Sequence, residues 1–204
     1  MTTPPIGFLP GPRRPDLAAE LTHCLDVARE HWQRLARQPA TARPAGLGQG
    51  RHTDYRNAVF LGRLIGDYGW PDLPLVGQDA AEAAYLIALH ADPRRDVQVA
   101  AMREMFQAVR RGTASKRDWV HLHDRVLCAD GAPQVYGTQH QLSPDGIPVR
   151  LPVRDPEELD VRRREVGLPP AAEALAALRQ RLAAEPTSHA ATDDPPTANL
   201  TAAA

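Results

Sequence analysis

The sequence predicts a mainly α protein, an irregular helical bundle with a small β-hairpin. Three observations carry that expectation. Apolar residues recur at three- and four-residue spacing along most of the chain. The segment from about Gln78 to Ala91 is apolar nearly all round, as a helix at the centre of a bundle must be. One stretch only, 134–153, reads as two short strands about a strong turn signal, Ser143-Pro144-Asp145-Gly146.

The elements follow in order. Residues 1–14 are rich in Pro and Gly and read as a disordered arm. A first helix begins near Pro15, with Leu17, Leu21, Cys24, Leu25, Ala28, Trp32 and Leu35 on one face and His23 and His31 off it. Gln38 to Arg51 lacks periodicity and reads as a loop. A second helix runs from an N-cap at Thr53 to Gly69, with Leu61, Leu64, Ile65 and Tyr68 as its stripe. Extended backwards, that stripe reaches Asn57 and Asp54, which therefore point inward or toward a cleft. Trp70 to Gly77 is irregular. The third helix runs to about Ala91 with His90 in its last turn, and Asp92-Pro93 reads as the N-cap and first turn of the fourth, which stops near Gly112. Ser115 opens a fifth helix with the stripe Trp119, Leu122, Val126 and Leu127. Strands are expected at 135–141 and 147–153, the second at an edge because of Pro148 and Pro152. Asp155-Pro156-Glu157-Glu158 starts another helix, Pro170 to Ala184 forms the last, and 185–204 reads as a disordered tail.

A chain of 204 residues supports one domain, here placed at 15–184. Its net charge of -1 disfavours non-specific nucleic-acid binding and attraction to an anionic membrane, and no apolar run reaches membrane length. Cys24 and Cys128 lack metal-ligand spacing, so a reducing cytoplasm is expected. Arginine replaces lysine everywhere except Lys116, which together with the Ala and Pro load points to a GC-rich bacterial genome.

The chemistry-bearing side chains are few. His90 ends a buried helix, where the helix dipole favours its protonation and burial disfavours it, a balance suited to general acid/base work. His121 and His123 lie two apart and face nearly opposite ways on a helix, so they do not ligate one ion together. A metal site from His90, His123 and Asp124 is geometrically open but not the preferred reading. Cys128 would be a nucleophile only with a lowered pKa. Gln134, Tyr136, Thr138 and Gln139 gather hydrogen-bonding groups around Gly137, either as a ligand wall or as a tie between loop and helices. No phosphate loop, nucleotide fingerprint or nucleophile elbow is present, so no cofactor and no metal are expected.

Gly69-Trp70-Pro71, Val76-Gly77, His90-Ala91-Asp92, Asp124-Arg125, Pro133-Gln134, Tyr136-Gly137-Thr138-Gln139, Asp160 with Arg162 to Arg164, and Gly167-Leu168 form an ordered series. It resembles a mostly bacterial family known as domain-of-unknown-function family 6624. The resemblance implies a Gln-His-Ala run where this chain has Leu89 before His90, and a change in activity with it. It also implies that His90, Asp124, Arg125, Tyr136 and Gln139 converge on one pocket, joined by Asn57 and Arg163.

The expected function is a cofactor-independent enzyme on a small polar or peptide-like molecule, performing hydrolysis, elimination or cyclisation, in bacterial specialised metabolism. His90 is then the acid/base, oriented by Asp124. Arg125 holds an anion, and Tyr136 and Gln139 meet a carbonyl or developing negative charge. The alternative is a non-catalytic binding module, using the same pocket for a ligand or the Arg162-Arg163-Arg164 helix for a protein partner. The oligomeric state stays open, a homo-oligomer included.

Overall fold

Helix α4, Gln78–Leu89, is the element around which the others pack. The structure is a computed structural model that describes residues 11–36 and 48–184, leaving out the side chains of 30–36 and 48–51. Ala80, Ala83, Ala84 and Ala88 of α4 are buried, and their small side chains let neighbouring helices come close. Those neighbours are α1 (Pro15–Ala36), α2 (Gly48–Tyr68), the one-turn α3 (Leu73–Val76), α5 (Arg95–Arg110) and α6 (Lys116–Ala129). Leu21, Leu61, Ile87, Met105 and Leu122 fill the space between them. Full burial of each such side chain stabilises the fold by about 1.5–3 kcal/mol. The protein is thus mainly α, as the sequence predicts.

α2 and α5 run parallel. Gly62 lies against Val97, Gly69 against Glu104, and the Arg94 guanidinium over the Tyr55 ring at 5.6 Å. A Cβ on Gly62 would stand 3.0 Å from Val97 Cγ2, so the missing side chain sets how closely the two helices approach. This register brings the first half of α2 to the end of the bundle where α4 stops and α5 starts.

The rest of the chain covers one side of α6. Strand β1 (His140–Leu142) pairs antiparallel with β2 (Pro148–Arg150), in the register His140↔Arg150, Gln141↔Val149 and Leu142↔Pro148. A 3-10 turn at Pro156–Glu158 leads into α7 (Leu159–Glu165), and α8 (Ala171–Ala184) follows.

Several boundaries differ from those expected, for identifiable reasons. α2 begins at Gly48, so Thr53 is inside the helix rather than its cap. The glycines at 48 and 50 hide this start, because they lower helix propensity without preventing a helix. Within the segment read as irregular, Asp72 accepts a bond from Leu75 N–H at 3.2 Å and caps α3. Asp92 does not cap α5; Arg94 takes that position, because Asp92 is drawn into tertiary bonds. Asp155 adopts φ 41° and makes no side-chain cap. The strands are three residues each, since 134–139 is held in a turn by a side chain of α6. The arm up to residue 10, the side chains of His31, Trp32 and Leu35, the loop at 37–47 and the tail from 185 lie outside the described residues.

Candidate functional site

Asp124 on α6 is fully buried. Its carboxylate accepts bonds from the backbone N–H groups of Val135 (2.9 Å), Tyr136 (3.1 Å) and Thr138 (3.1 Å), and from the Thr138 hydroxyl (3.0 Å). His123 Nδ1 stands 3.7 Å from Oδ1, an electrostatic contact rather than a hydrogen bond, and is a buried atom with no hydrogen-bond partner. Burial alone would raise the Asp124 pKa. The imidazole and the backbone donors outweigh it and hold the carboxyl below its usual value. A side chain so occupied is a clamp for the turn.

The turn is pinned from its other sides as well. Buried Gln134 donates to the carbonyls of Gln139 (3.0 Å) and Leu151 (2.9 Å), and its Oε1 accepts from Gln139 N–H at 2.8 Å. Gln139 Nε2 donates to the His121 carbonyl at 3.2 Å. Arg163, only 3% exposed, donates to the carbonyls of Tyr136 and Pro169, both at 2.6 Å. Arg162 Nε donates to the Val135 carbonyl at 2.9 Å. Arg162 and Arg163 therefore reach inward, and of the arginine run only Arg164 is on a fully solvated face. Gly137 has φ 66°, and a Cβ there would stand 3.2 Å from both Arg150 Cδ and Leu159 Cδ2, so glycine is required twice over.

Tyr136 gives its backbone to this clamp and its ring to an aromatic row. The ring meets His123 and Trp119 edge-on at 6.0 and 6.5 Å, and Trp119 meets Phe106 at 5.0 Å. Burial pushes the Tyr136 phenol up. His121 is half-buried; burial first, then Arg117, lowers its pKa to about 4.

Arg125 follows Asp124 by one residue, so it projects about 100° away around the helix. It grips Asp92 through two guanidinium nitrogens, Nε at 3.1 Å and Nη2 closer. Gln98, fully buried, donates from Nε2 to Asp92 Oδ1 (3.1 Å) and to the last α4 carbonyls, Ala88 and Leu89 (both 3.3 Å). Gln98 thereby closes the end of α4, where His90 is the C-cap residue with φ -99° and ψ 11°. Its role was missed, although a polar residue in line with Ala101, Met105 and Ala108 on the apolar stripe of α5 was a readable signal. To the same end α2 brings Asp54 and Asn57, which are 8% and 7% exposed, as the inward extension of its stripe predicts. Asn57 Nδ2 donates to the Cys24 carbonyl at 3.2 Å.

The sequence-predicted site residues thus fall into two groups on different sides of α6. Asp124, Gln134, Tyr136, Gln139 and Arg163 belong to the turn clamp. His90, Asn57 and Arg125 belong to the bundle end. A separate cleft of about 340 Å³, lined by Trp70, Glu82, Tyr85, Ser115 and Asp118 among others, includes none of them. Burial raises the Tyr85 phenol and the Asp118 carboxyl there. Cys24 and Cys128 are free, and burial pushes both thiols up, away from the thiolate a nucleophile needs. Among the described residues no three His, Cys, Asp or Glu side chains form a metal-ligating group, and no helix is long and apolar enough to cross a membrane.

Fold and site together define a mainly helical domain with a hairpin locked by a buried aspartate and a polar bundle end. The chain belongs to the family of unknown function DUF6624, whose profile matches residues 15–184, from the first residue of α1 to the last of α8. No curated protein and no solved structure matches it.

Proposed function

We propose that this protein is a cofactor-independent enzyme acting on a small polar or peptide-like molecule at the bundle end, with His90 as general acid/base. The observation that carries this reading is the parallel register of α2 and α5. It delivers two buried polar side chains, Asp54 and Asn57, to the place where α4 terminates at His90. Polar side chains turned inward at the end of a bundle supply hydrogen-bonding groups where packing alone would place apolar ones. The helix C-terminus favours the imidazolium, and partial exposure gives water and substrate access to it. In this reading Asp54, rather than Asp124, supplies the carboxylate beside His90. Asn57 Oδ1, which has no protein partner among the described residues, receives a substrate N–H. Arg125, exchanging Asp92 for a substrate carboxylate, holds an anionic end. Hydrolysis, elimination and cyclisation all use this set, and we assign it to bacterial specialised metabolism in the cytoplasm. Leu89, where the family resemblance implies glutamine, alters the substrate side of His90.

The test is an untargeted metabolite and short-peptide screen, read by melting temperature and by mass change, on wild type and His90→Ala. His90 is a half-exposed cap residue, so the variant should lose about 1 kcal/mol or less. A compound converted by wild type and bound but unconverted by the variant is the expected result. Equal conversion by both would remove His90 from the chemistry. A compound that stabilises both proteins and is changed by neither would instead make this end a binding module, a reading supported by the Asp92–Arg125 pair as a ready anion exchanger.

A further inference from the structure

Three arginines converge on the hairpin from three elements. Arg150 on β2 faces His140 across the strand pair and lays its Cδ against Gly137. Arg163 on α7 donates Nη1 to the carbonyls of Tyr136 and Gly137, at 2.6 and 3.4 Å. Arg179 on α8 donates Nη2 to the Pro148 carbonyl at 3.3 Å. Among the described residues none of the three has a carboxylate within 4.0 Å, whereas Arg14, Arg94, Arg95, Arg125 and Arg162 each have one. The nearby acids are already engaged. Asp124 is spent on the turn, and Asp160 accepts from Ala171 N–H at 2.7 Å at the start of α8.

Gathering like charges destabilises a fold: burial and Arg150 disfavour the charged form of Arg163, with Asp160 and Asp124 opposing. Arg163 bears it most, being nine-tenths and more buried with only carbonyl partners. The field is felt by the neighbouring imidazoles. Burial lowers the His140 pKa, and Arg150, Arg163 and Arg179 each lower it further, against one opposing bond that the imidazole donates to the Thr138 backbone. His121 is depressed by burial and by Arg117, Arg163 and His140, with Asp124 opposing.

The geometry points to a second site, separate from the bundle end: Arg150, Arg163 and Arg179, with His140, bind a phosphate-type dianion. Several guanidinium forks suit a ligand with more than one charge and several oxygens, which a single carboxylate does not offer. Arg163 is the fixed floor of the site, held by the turn. Arg150 and Arg179, more exposed, close on the ligand from the hairpin and from α8. The inference is independent of His90, and its failure leaves the reading of the bundle end untouched.

The experiment titrates the full chain with inorganic phosphate and, in parallel, with phenyl phosphate, at fixed ionic strength and pH 7, against chloride. At about 10 mM phosphate the melting temperature should rise by about 2–4 °C. In R150Q/R179Q the rise should vanish, and the His140 imidazole resonance should titrate at higher pH with phosphate in wild type only. A larger effect of phenyl phosphate would identify a phosphorylated organic molecule as the occupant, and equal effects would identify phosphate itself. No rise in wild type, or a rise undiminished in the double variant, would overturn the site. Should the double variant not fold, R179Q alone serves, since Arg179 is exposed, and it should weaken the phosphate response several-fold.

Discussion

The turn clamp and the bundle end hold the same residue types in different states. At the clamp, the Asp124 carboxylate, the Gln134 amide and most of the Arg163 fork are occupied by backbone groups and sealed from water. At the bundle end, Asp92 and Arg125 are 44% and 35% exposed and bonded chiefly to each other, and His90 is half-exposed. A buried polar group bonded to backbone on all sides is scaffold, because releasing it costs several hydrogen bonds at once. A half-exposed pair exchanges partners with water or ligand at little cost. Exposure and the identity of the partner, more than residue type, separate the two regions.

The comparison breaks first at Asp124. Asp124→Ala strands three backbone N–H groups and a hydroxyl, so stability should fall by roughly 3–5 kcal/mol in urea unfolding. A loss near 1 kcal/mol would show that the turn holds itself. Acid provides a second lever. The folded His121 pKa is about 4 against 6.5 for the free side chain. The unfolded chain takes up a proton the fold refuses. This contribution is therefore complete above pH 6.5 and is lost as pH falls toward 4, on the order of 3 kcal/mol in total. The depressed Asp124 carboxyl has the same sign and acts at lower pH. Urea midpoints followed from neutral to acid pH should fall less steeply in His121→Gln than in wild type, and identical slopes would exclude His121 as the source. Gly137→Ala combines positive φ with crowding against Arg150 and Leu159, and should lose about 2–3 kcal/mol.

The two regions were not equally legible in the sequence. The helices were readable from periodicity because each buries one face, and the inward turn of Asp54 and Asn57 came from the same rule. Gln98 stood in plain sight on an apolar stripe. Asp124 was harder: its partners lie 11 to 14 residues away across a turn with no repeating pattern. The alternation Gln134, Tyr136, Thr138 fits a strand, and only a buried acceptor at the right height converts those N–H groups into a nest about a carboxylate. Asp92-Pro93 misled for the opposite reason. The local signal for a cap was sound, but a tertiary partner, Arg125, offered two charged bonds in place of one neutral bond. The run Arg162-Arg163-Arg164 offered a surface for a protein partner because charge density says nothing about which arginine finds carbonyls.

The smallest expected effect tests the bundle end most sharply. Asp92→Asn keeps the shape and the bond from Gln98 but removes the charge that holds Arg125. An exposed pair of this kind is worth about 1 kcal/mol or less, so the melting temperature should fall by only a few degrees. If Arg125 exchanges Asp92 for a ligand carboxylate, the freed guanidinium should bind that ligand more tightly than wild type does. Affinity would then rise while stability falls. A scaffold residue cannot give that combination, since loosening a clamp lowers both. Opposite signs in the two measurements would place Arg125 on the ligand side of the comparison, and a loss in both would move it to the side of Asp124.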